Sequence, residues 1–243
     1  MRAAAIQMAP VFKAKELNLK RMLKLGKVAA DSDVNLIVFP ELCTTGYSLM
    51  SEQEARPLAE VVGPGGMSFD AMALLAKSTS AFVVWGTIEV DAGTQRIYNS
   101  QVCVCPEGNW IRYAKVNRWG NDFLWAEEGR GNPPVLTTPF GKLGLLICRD
   151  VRDKKDSKWE SFYEKGDADI VAFSANWGRG GFPAVAWMQF VKDNNTALVV
   201  ANRYGEEEHN DFGHGGACVI NKQGKVFCDG LAWDRDCVVV GDL

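Results

Sequence analysis

Histidine is scarce in this chain: His209 and His214 are the only two among 243 residues. That removes the commonest acid–base side chain at neutral pH and leaves little for a histidine-built metal centre. Cys103 and Cys105 fall on one face of a strand, but no Cys or His pair follows them at ligand spacing. No zinc, other metal or cofactor is expected. Charge of one sign is lacking as well. The chain carries 27 basic and 30 acidic side chains, a net charge of -3. It therefore has neither the basic footprint of a nucleic-acid binder nor the polybasic patch of a membrane-surface protein. No apolar run approaches the ~20 residues that span a bilayer. Met1 to Ala9 read as a short strand, with no cationic leader and apolar stretch behind it, so no secretory signal is expected. The expectation is a soluble, cytoplasmic protein.

Cysteine is present, but in an odd number, seven, and mostly in apolar strand-like runs. Reduced, buried thiols are the simpler reading than a disulfide framework. With 47% hydrophobic residues over 243 positions, the chain can bury one sizeable core. Strands and helices alternate. Leu19, Met22 and Leu23, then Leu25, Val28 and Ala29, recur at three- and four-residue spacings ahead of the apolar run Val34 to Phe39. A helix is expected over Ser68 to Lys77, followed by strands over Ala81 to Val90, Ile97 to Cys105 and Trp110 to Val116, with turn clusters between them. The second half predicts strands at Leu143 to Cys148, Asp169 to Ser174 and Thr196 to Ala201. Helices are expected over Ser157 to Lys165 and Pro183 to Asn194, with hairpins at the end. The class is α/β with mixed sheets, in one domain spanning 1–243. Asn117 to Pro134 is too long for an ordinary connection and reads as a candidate active-site loop.

Three ionisable residues sit where strands end. Glu41 follows Val38-Phe39-Pro40, Lys115 closes Trp110 to Ala114, and Cys148 closes Leu143 to Ile147. Strand carboxyl ends are where reactive groups converge in α/β folds. The plain alternative is an acid in a turn after proline, an exposed lysine and a core cysteine.

The surrounding segments resemble the nitrilase superfamily of carbon–nitrogen hydrolases over nearly the whole chain. Ala4-Ala5-Ile6-Gln7-Met8 is similar to its opening strand, and Phe39-Pro40-Glu41-Leu42 with Gly46-Tyr47 to the segment bearing its catalytic glutamate. Tyr98-Asn99-Ser100, Gly108 and Tyr113-Ala114-Lys115-Val116 are similar to the hairpin leading to the lysine. Pro139 to Gly144 through Ile147-Cys148-Arg149-Asp150 resembles the nucleophile strand. Ala201 to Gly205 and Gly215-Gly216-Ala217 resemble the closing strands. The resemblance implies a four-layer α-β-β-α sandwich with two stacked mixed sheets, and a homodimer or larger assembly built through a helical face.

It also implies catalytic roles. Cys148 is the nucleophile, Glu41 the general base, and Lys115 the cation at the oxyanion, aided by the backbone N–H of Arg149. The chemistry calls for such a trio: a thiol is mostly protonated at neutral pH, and an amide carbon is a poor electrophile. The expected reaction is hydrolysis of a small-molecule amide to acid and ammonia, with nitrile and N-carbamoyl substrates as alternatives. Cys43, two residues from Glu41, could line the same cavity if that segment is extended; a small wall residue is the preferred role. Tyr47, Asn176 and Trp177 are the substrate-binding candidates by position, with Trp119 and Trp125 beside them. Arg179 and Arg203 could meet a substrate carboxylate or be structural.

The chain departs from the family pattern in three places. Asp153-Lys154-Lys155 replaces Phe-Pro-Glu behind the nucleophile. Asp150 and Arg152 there are expected to form an ion pair or hydrogen-bonding group behind the site. Asn117 stands where a histidine is common, and the loop holding the family's second glutamate aligns poorly. Asp122, Glu127 and Glu128 all remain open as a fourth residue. A Ser-His-Asp site is disfavoured, since nothing sets either histidine beside a serine.

Overall fold

The computed structural model describes residues 1–151, 168–178, 181–228 and 234–243. Strand β1 (Arg2–Gln7) is buried on both faces after its first residue. Helix α1 (Lys15–Ala30) turns Leu19, Met22, Gly26 and Ala29 inward, an apolar stripe at helical spacing. After β2 (Leu36–Val38) comes a short turn of helix, α2 (Glu52–Ala55), begun by Ser51, whose side chain accepts from the Glu54 N–H. Helix α3 (Met67–Thr79) follows, then the antiparallel meander β3 (Phe82–Val90), β4 (Ile97–Val104) and β5 (Trp110–Ala114).

The long connection after β5 contains one helical turn, α4 (Asp122–Trp125), and ends in β6 (Val135–Thr138). Strand β7 (Gly141–Ile147) runs into a 3-10 turn over Cys148–Val151. Strand β8 (Ile170–Ala175), helix α5 (Val185–Asn194) and strand β9 (Ala197–Asn202) continue the alternation. The chain closes with the small hairpin β10 (Glu206–Glu207) and β11 (Asn210–Asp211), then β12 (Cys218–Ile220), β13 (Val226–Phe227) and β14 (Cys237–Asp242). The helix expected over Ser157 to Lys165 lies outside the described residues, as do Arg152, Asp153-Lys154-Lys155 and Arg179.

Among the described residues, twelve strands form one hydrogen-bonded sheet in the order β5-β4-β3-β2-β1-β9-β8-β7-β6, with β14 added to β1, β12 to β9 and β13 to β12. It is mixed: β1, β2 and β3 are mutually parallel, as are β7, β8 and β9, whereas β3–β4, β4–β5, β6–β7 and β1–β14 are antiparallel. The halves meet through a single paired position, Gln7 with Asn202.

Alternation along β1 decides what each face covers. Ala4 and Ile6 pack with α1 and α3 residues such as Met22, Phe69 and Met72. Ala3 and Ala5 join Val38 and Val84 in a second core with Leu145, Phe173 and Val199 from the other half. Trp187 and Phe190 of α5 complete that core. Strands β8 and β9 are buried at every position, which is why they read as unbroken apolar runs. No disulfide joins any of the seven cysteines. No helix among the described residues is long and apolar enough to cross a membrane.

Candidate active site

The parallel strands set a common direction, and their carboxyl ends open at one place. Glu41 follows β2, Lys115 follows β5, Cys148 follows β7 and Asn176 follows β8. All four line a cavity of about 170 Å³ that also has Tyr47, Trp119, Asn210 and Phe212 in its wall. Gly86 on β3 makes the placement of Glu41 possible: a Cβ there would come within 2.4 Å of the Leu42 nitrogen and 2.7 Å of the Glu41 Cα. Cys148 has φ 40°, in the left-handed region that residues with a Cβ seldom occupy.

Glu41 and Lys115 are each 1% exposed. The Lys115 ammonium donates to Glu41 Oε1 at 2.5 Å and to Asp122 Oδ2 at 2.7 Å. Asn99 Nδ2 donates to Glu41 Oε1 at 2.8 Å and to Asp122 Oδ1 at 3.0 Å, so it ties the two carboxylates together. The Asn176 N–H donates to Glu41 Oε2 at 3.0 Å. Two carboxylates thus share one ammonium out of contact with water.

Burial, with the nearby charge of Asp122, pushes the Glu41 carboxyl above its ordinary value despite the opposing pull of Lys115. Burial acts to lower Lys115, but Asp122 and Glu41 outweigh it and hold the ammonium well above its usual range. Burial, then the charge of Glu41, raises the Cys148 thiol, while Lys115 and a backbone hydrogen bond from Asn176 oppose the rise. Burial thus favours the neutral thiol over the thiolate.

Asp122 is the member of the open set that reaches the site; Glu127 is exposed and Glu128 half-buried, and neither lines the cavity. Asn99 was not foreseen as a site residue. Its signal was a polar amide in the middle of the apolar strand β4, where burial demands partners.

Tyr47 lines the cavity; its hydroxyl donates to the Trp119 carbonyl, and its N–H to Glu207 Oε1 at 2.7 Å. Asn176 has both side-chain polar atoms buried with no hydrogen-bond partner among the described residues, so a donor and an acceptor stand at the cavity wall. Trp177 is held by Asn202 and borders the neighbouring space rather than the cavity around Glu41 and Lys115. Arg149 lines a small recess of about 60 Å³ with Cys148, its guanidinium 4.7 Å from the Trp119 ring centre.

Two expectations change. Cys43 does not face the cavity: β2 ends at Val38 and Leu42 turns with φ 48°, so the two-residue rule for strands fails there. Its sulfur donates to the Gly86 carbonyl at 3.4 Å inside the core under α1 and α3. Trp125 packs into a core with Leu42 and Ile88 and is not among the residues lining the cavity around Cys148. Arg203, open between a substrate contact and a structural role, is fully buried, donates to Glu207 Oε2 at 2.9 Å and lies 4.0 Å from the Phe212 ring centre, and it is not among the residues lining the cavity around Cys148.

Behind the site, Asp150 accepts from the Tyr113 hydroxyl at 2.8 Å and from the N–H groups of Asn117 at 2.9 Å and Ile147 at 3.3 Å. Among the described residues neither histidine pairs with a serine: His214 faces Asp234 at 2.9 Å and His209 lies 3.3 Å from Asn121. Among the described residues no cluster of His, Cys, Asp and Glu could hold a metal ion.

Comparison with known proteins places these features in context. Residues 2–243 match the family model described as carbon-nitrogen hydrolase. A nitrilase of Pyrococcus abyssi is 30% identical over 207 residues, covering 85% of this chain and 76% of the relative. An (R)-stereoselective amidase of a Pseudomonas species is 28% identical over 211 residues, covering 86% and 73%. A mutant amidase from Nesterenkonia sp. AN1, solved with acrylamide added at its active site cysteine, superposes with a TM-score of 0.81 at 20% identity. That match covers 100% of this chain and 93% of the other. The sequence matches define a hydrolase of carbon–nitrogen bonds other than peptide bonds. The chain belongs to the carbon–nitrogen hydrolase family, within the nitrilase superfamily.

Proposed function

We propose that this protein hydrolyses a small-molecule amide to the acid and ammonia through a thioester on Cys148. The observation that carries the reading is the Lys115 ammonium, bonded to Glu41 and Asp122 in the same cavity wall as the Cys148 thiol.

Glu41, whose raised value brings a carboxylate toward useful basicity, takes the Cys148 proton as the sulfur attacks the amide carbon. The carbonyl π pair moves to oxygen, where Lys115 and the Arg149 N–H stabilise the negative charge; one such donor is worth about 3 kcal/mol. Collapse expels the amine nitrogen, which leaves as ammonia with the proton held by Glu41. Glu41 then takes a proton from water as the hydroxide oxygen attacks the thioester. The thiolate leaves, recovers the proton, and the acid departs. Asn176, whose amide has no partner among the described residues, orients the substrate amide. Asp122 and Asn99 act on Glu41 and Lys115 as positioning residues. The same trio serves nitrile and N-carbamoyl substrates, which are the alternatives, and the 30% identity to a nitrilase keeps the nitrile on the panel.

Cys148→Ala tests this reading. It is expected to abolish ammonia release from amides, nitriles and carbamoyl amines while the circular dichroism and melting curve stay those of a folded protein. Wild-type activity in that variant would overturn the assignment.

On the same reading, residues 1–243 are one catalytic domain whose two half-sheets stack as the inner layers of an α-β-β-α sandwich. The core that Ala5, Val38 and Val84 share with Leu145 and Phe173 supports it. A cytoplasmic homodimer or larger assembly, free of nucleic acid and membrane, completes the proposal; seven cysteines outside any disulfide agree with that compartment.

A further inference from the structure

The cavity around Cys148 does not end at Trp119. Gly178 borders it, borders the recess beside Arg149, and borders a third space of about 590 Å³. Asp211 and Phe212 line both the first space and the third. A Cβ on Gly178 would lie 3.4 Å from the Asp211 carbonyl oxygen, so these two residues face each other at the border that the two spaces share.

The two spaces differ in size and chemistry. At about 170 Å³ the inner one is below the ~300–1,000 Å³ of sites that take drug-sized ligands, and it holds the reacting head of a substrate. The outer one falls inside that range. Its wall carries four aromatic side chains, Trp177, Phe182, Trp187 and Phe212. Trp187 stands edge-on to Trp177 and Phe182, with ring centres 5.5 and 6.4 Å away. Trp177, Trp187 and Phe212 are buried, and Phe182, half-buried, is the ring of the four most open to a further ring. Among the described residues, Glu206, Asp211 and Asp234 also line this space, and Asp234 faces His214 at 2.9 Å. A carboxylate at the end of the acyl chain would have to shed its water against the aromatic rings.

We propose that the substrate is a primary amide whose acyl chain carries an uncharged aromatic group, the amide reacting in the inner cavity and the ring occupying the outer one. The proposal rests on the amide-hydrolase reading above. It adds a second binding region, through Gly178, that short aliphatic amides leave unfilled.

The test compares ammonia release from butyramide, 3-phenylpropionamide and succinamate, the last with a carboxylate in place of the ring. With wild-type enzyme, burying the ring is expected to raise kcat/KM roughly 10- to 100-fold over butyramide, and succinamate is expected to be the poorest of the three. Gly181→Leu supplies the second arm. Gly181 lines the outer space at an ordinary backbone φ, and a Cβ there meets no atom within 4 Å. The added side chain is expected to cut the preference for 3-phenylpropionamide over butyramide at least fivefold. Ammonia from butyramide with no gain from the ring, or faster turnover of succinamate than of 3-phenylpropionamide, overturns this proposal and leaves the amide reading standing. Ammonia from none of the three overturns the amide reading and takes this inference with it.

Discussion

Lys115→Met keeps the length of the side chain and removes its charge. The consequence can be worked from the geometry. The ammonium is buried and lies 2.5 Å from one carboxylate and 2.7 Å from the other. Oxygens sharing one nitrogen at those distances are no more than about 5 Å apart, where two unit charges repel by roughly 3 kcal/mol at an effective dielectric of ~20. Removing one partner of a buried ion pair typically costs about 3–5 kcal/mol, because the charge left behind has neither water nor counterion. In a chain of this size each kcal/mol shifts the melting temperature by ~2–4 °C. A fall of roughly 10 °C at pH 7.5 is therefore expected by differential scanning calorimetry, with a matching loss in urea unfolding at unchanged slope. At pH 5 the gap to wild type is expected to narrow, since the stranded Glu41, already raised by burial, can take a proton and cease to be a buried charge. A variant melting within about 2 °C of wild type at pH 7.5, or a gap that widens in acid, would refute the electrostatic account of the site.

Two further outcomes follow from the same groups. Asp122→Asn keeps an oxygen for Lys115 and the Trp119 N–H but removes the charge that helps to raise Glu41. The acid limb of the kcat/KM profile should move to lower pH, with a lower plateau because the base is weaker; an unmoved limb would remove Asp122 from the account. Asp150 concerns stability. Burial raises it from 3.8 to about 7, so its favourable contribution is complete below pH 3.8 and is lost as pH rises through about 7. The stability of wild type minus that of Asp150→Asn should therefore fall between pH 4 and 7, by at most about 4 kcal/mol, and level off above; a difference that rises with pH over that interval contradicts it.

Much of this arrangement is legible in the sequence because it depends on local pattern. Leu19 and Met22 at helical spacing mark α1, and the unbroken apolar runs mark β7, β8 and β9, which are buried on both faces. Glu41, Lys115 and Cys148 stand out because each is an ionisable side chain closing such a run. What stays hidden depends on tertiary context. Nothing local says that Gln7 pairs with Asn202 and joins the half-sheets. Cys43 looks like a neighbour of Glu41 only if the segment is extended; the turn at Leu42 sends it into the opposite core. Asp122, Glu127 and Glu128 look alike in sequence. The single helical turn of α4 buries Asp122 against Lys115 and leaves Glu127 outside. Trp125, on the same turn, goes to the core for the same reason. The walls formed by Asn210, Asp211 and Phe212 come from a two-residue hairpin too short to show a period.

The central claim is that the substrate's acyl group passes through the sulfur of residue 148. Rapid acid quenching during turnover of 3-phenylpropionamide or butyramide, followed by intact-mass and peptide mass spectrometry, reads this directly. The account predicts a transient adduct equal to the substrate mass less ammonia, confined to the peptide containing Cys148 and absent from Cys148→Ala. Steady ammonia release with no adduct on that peptide, or an adduct mapped to Cys43, would contradict it.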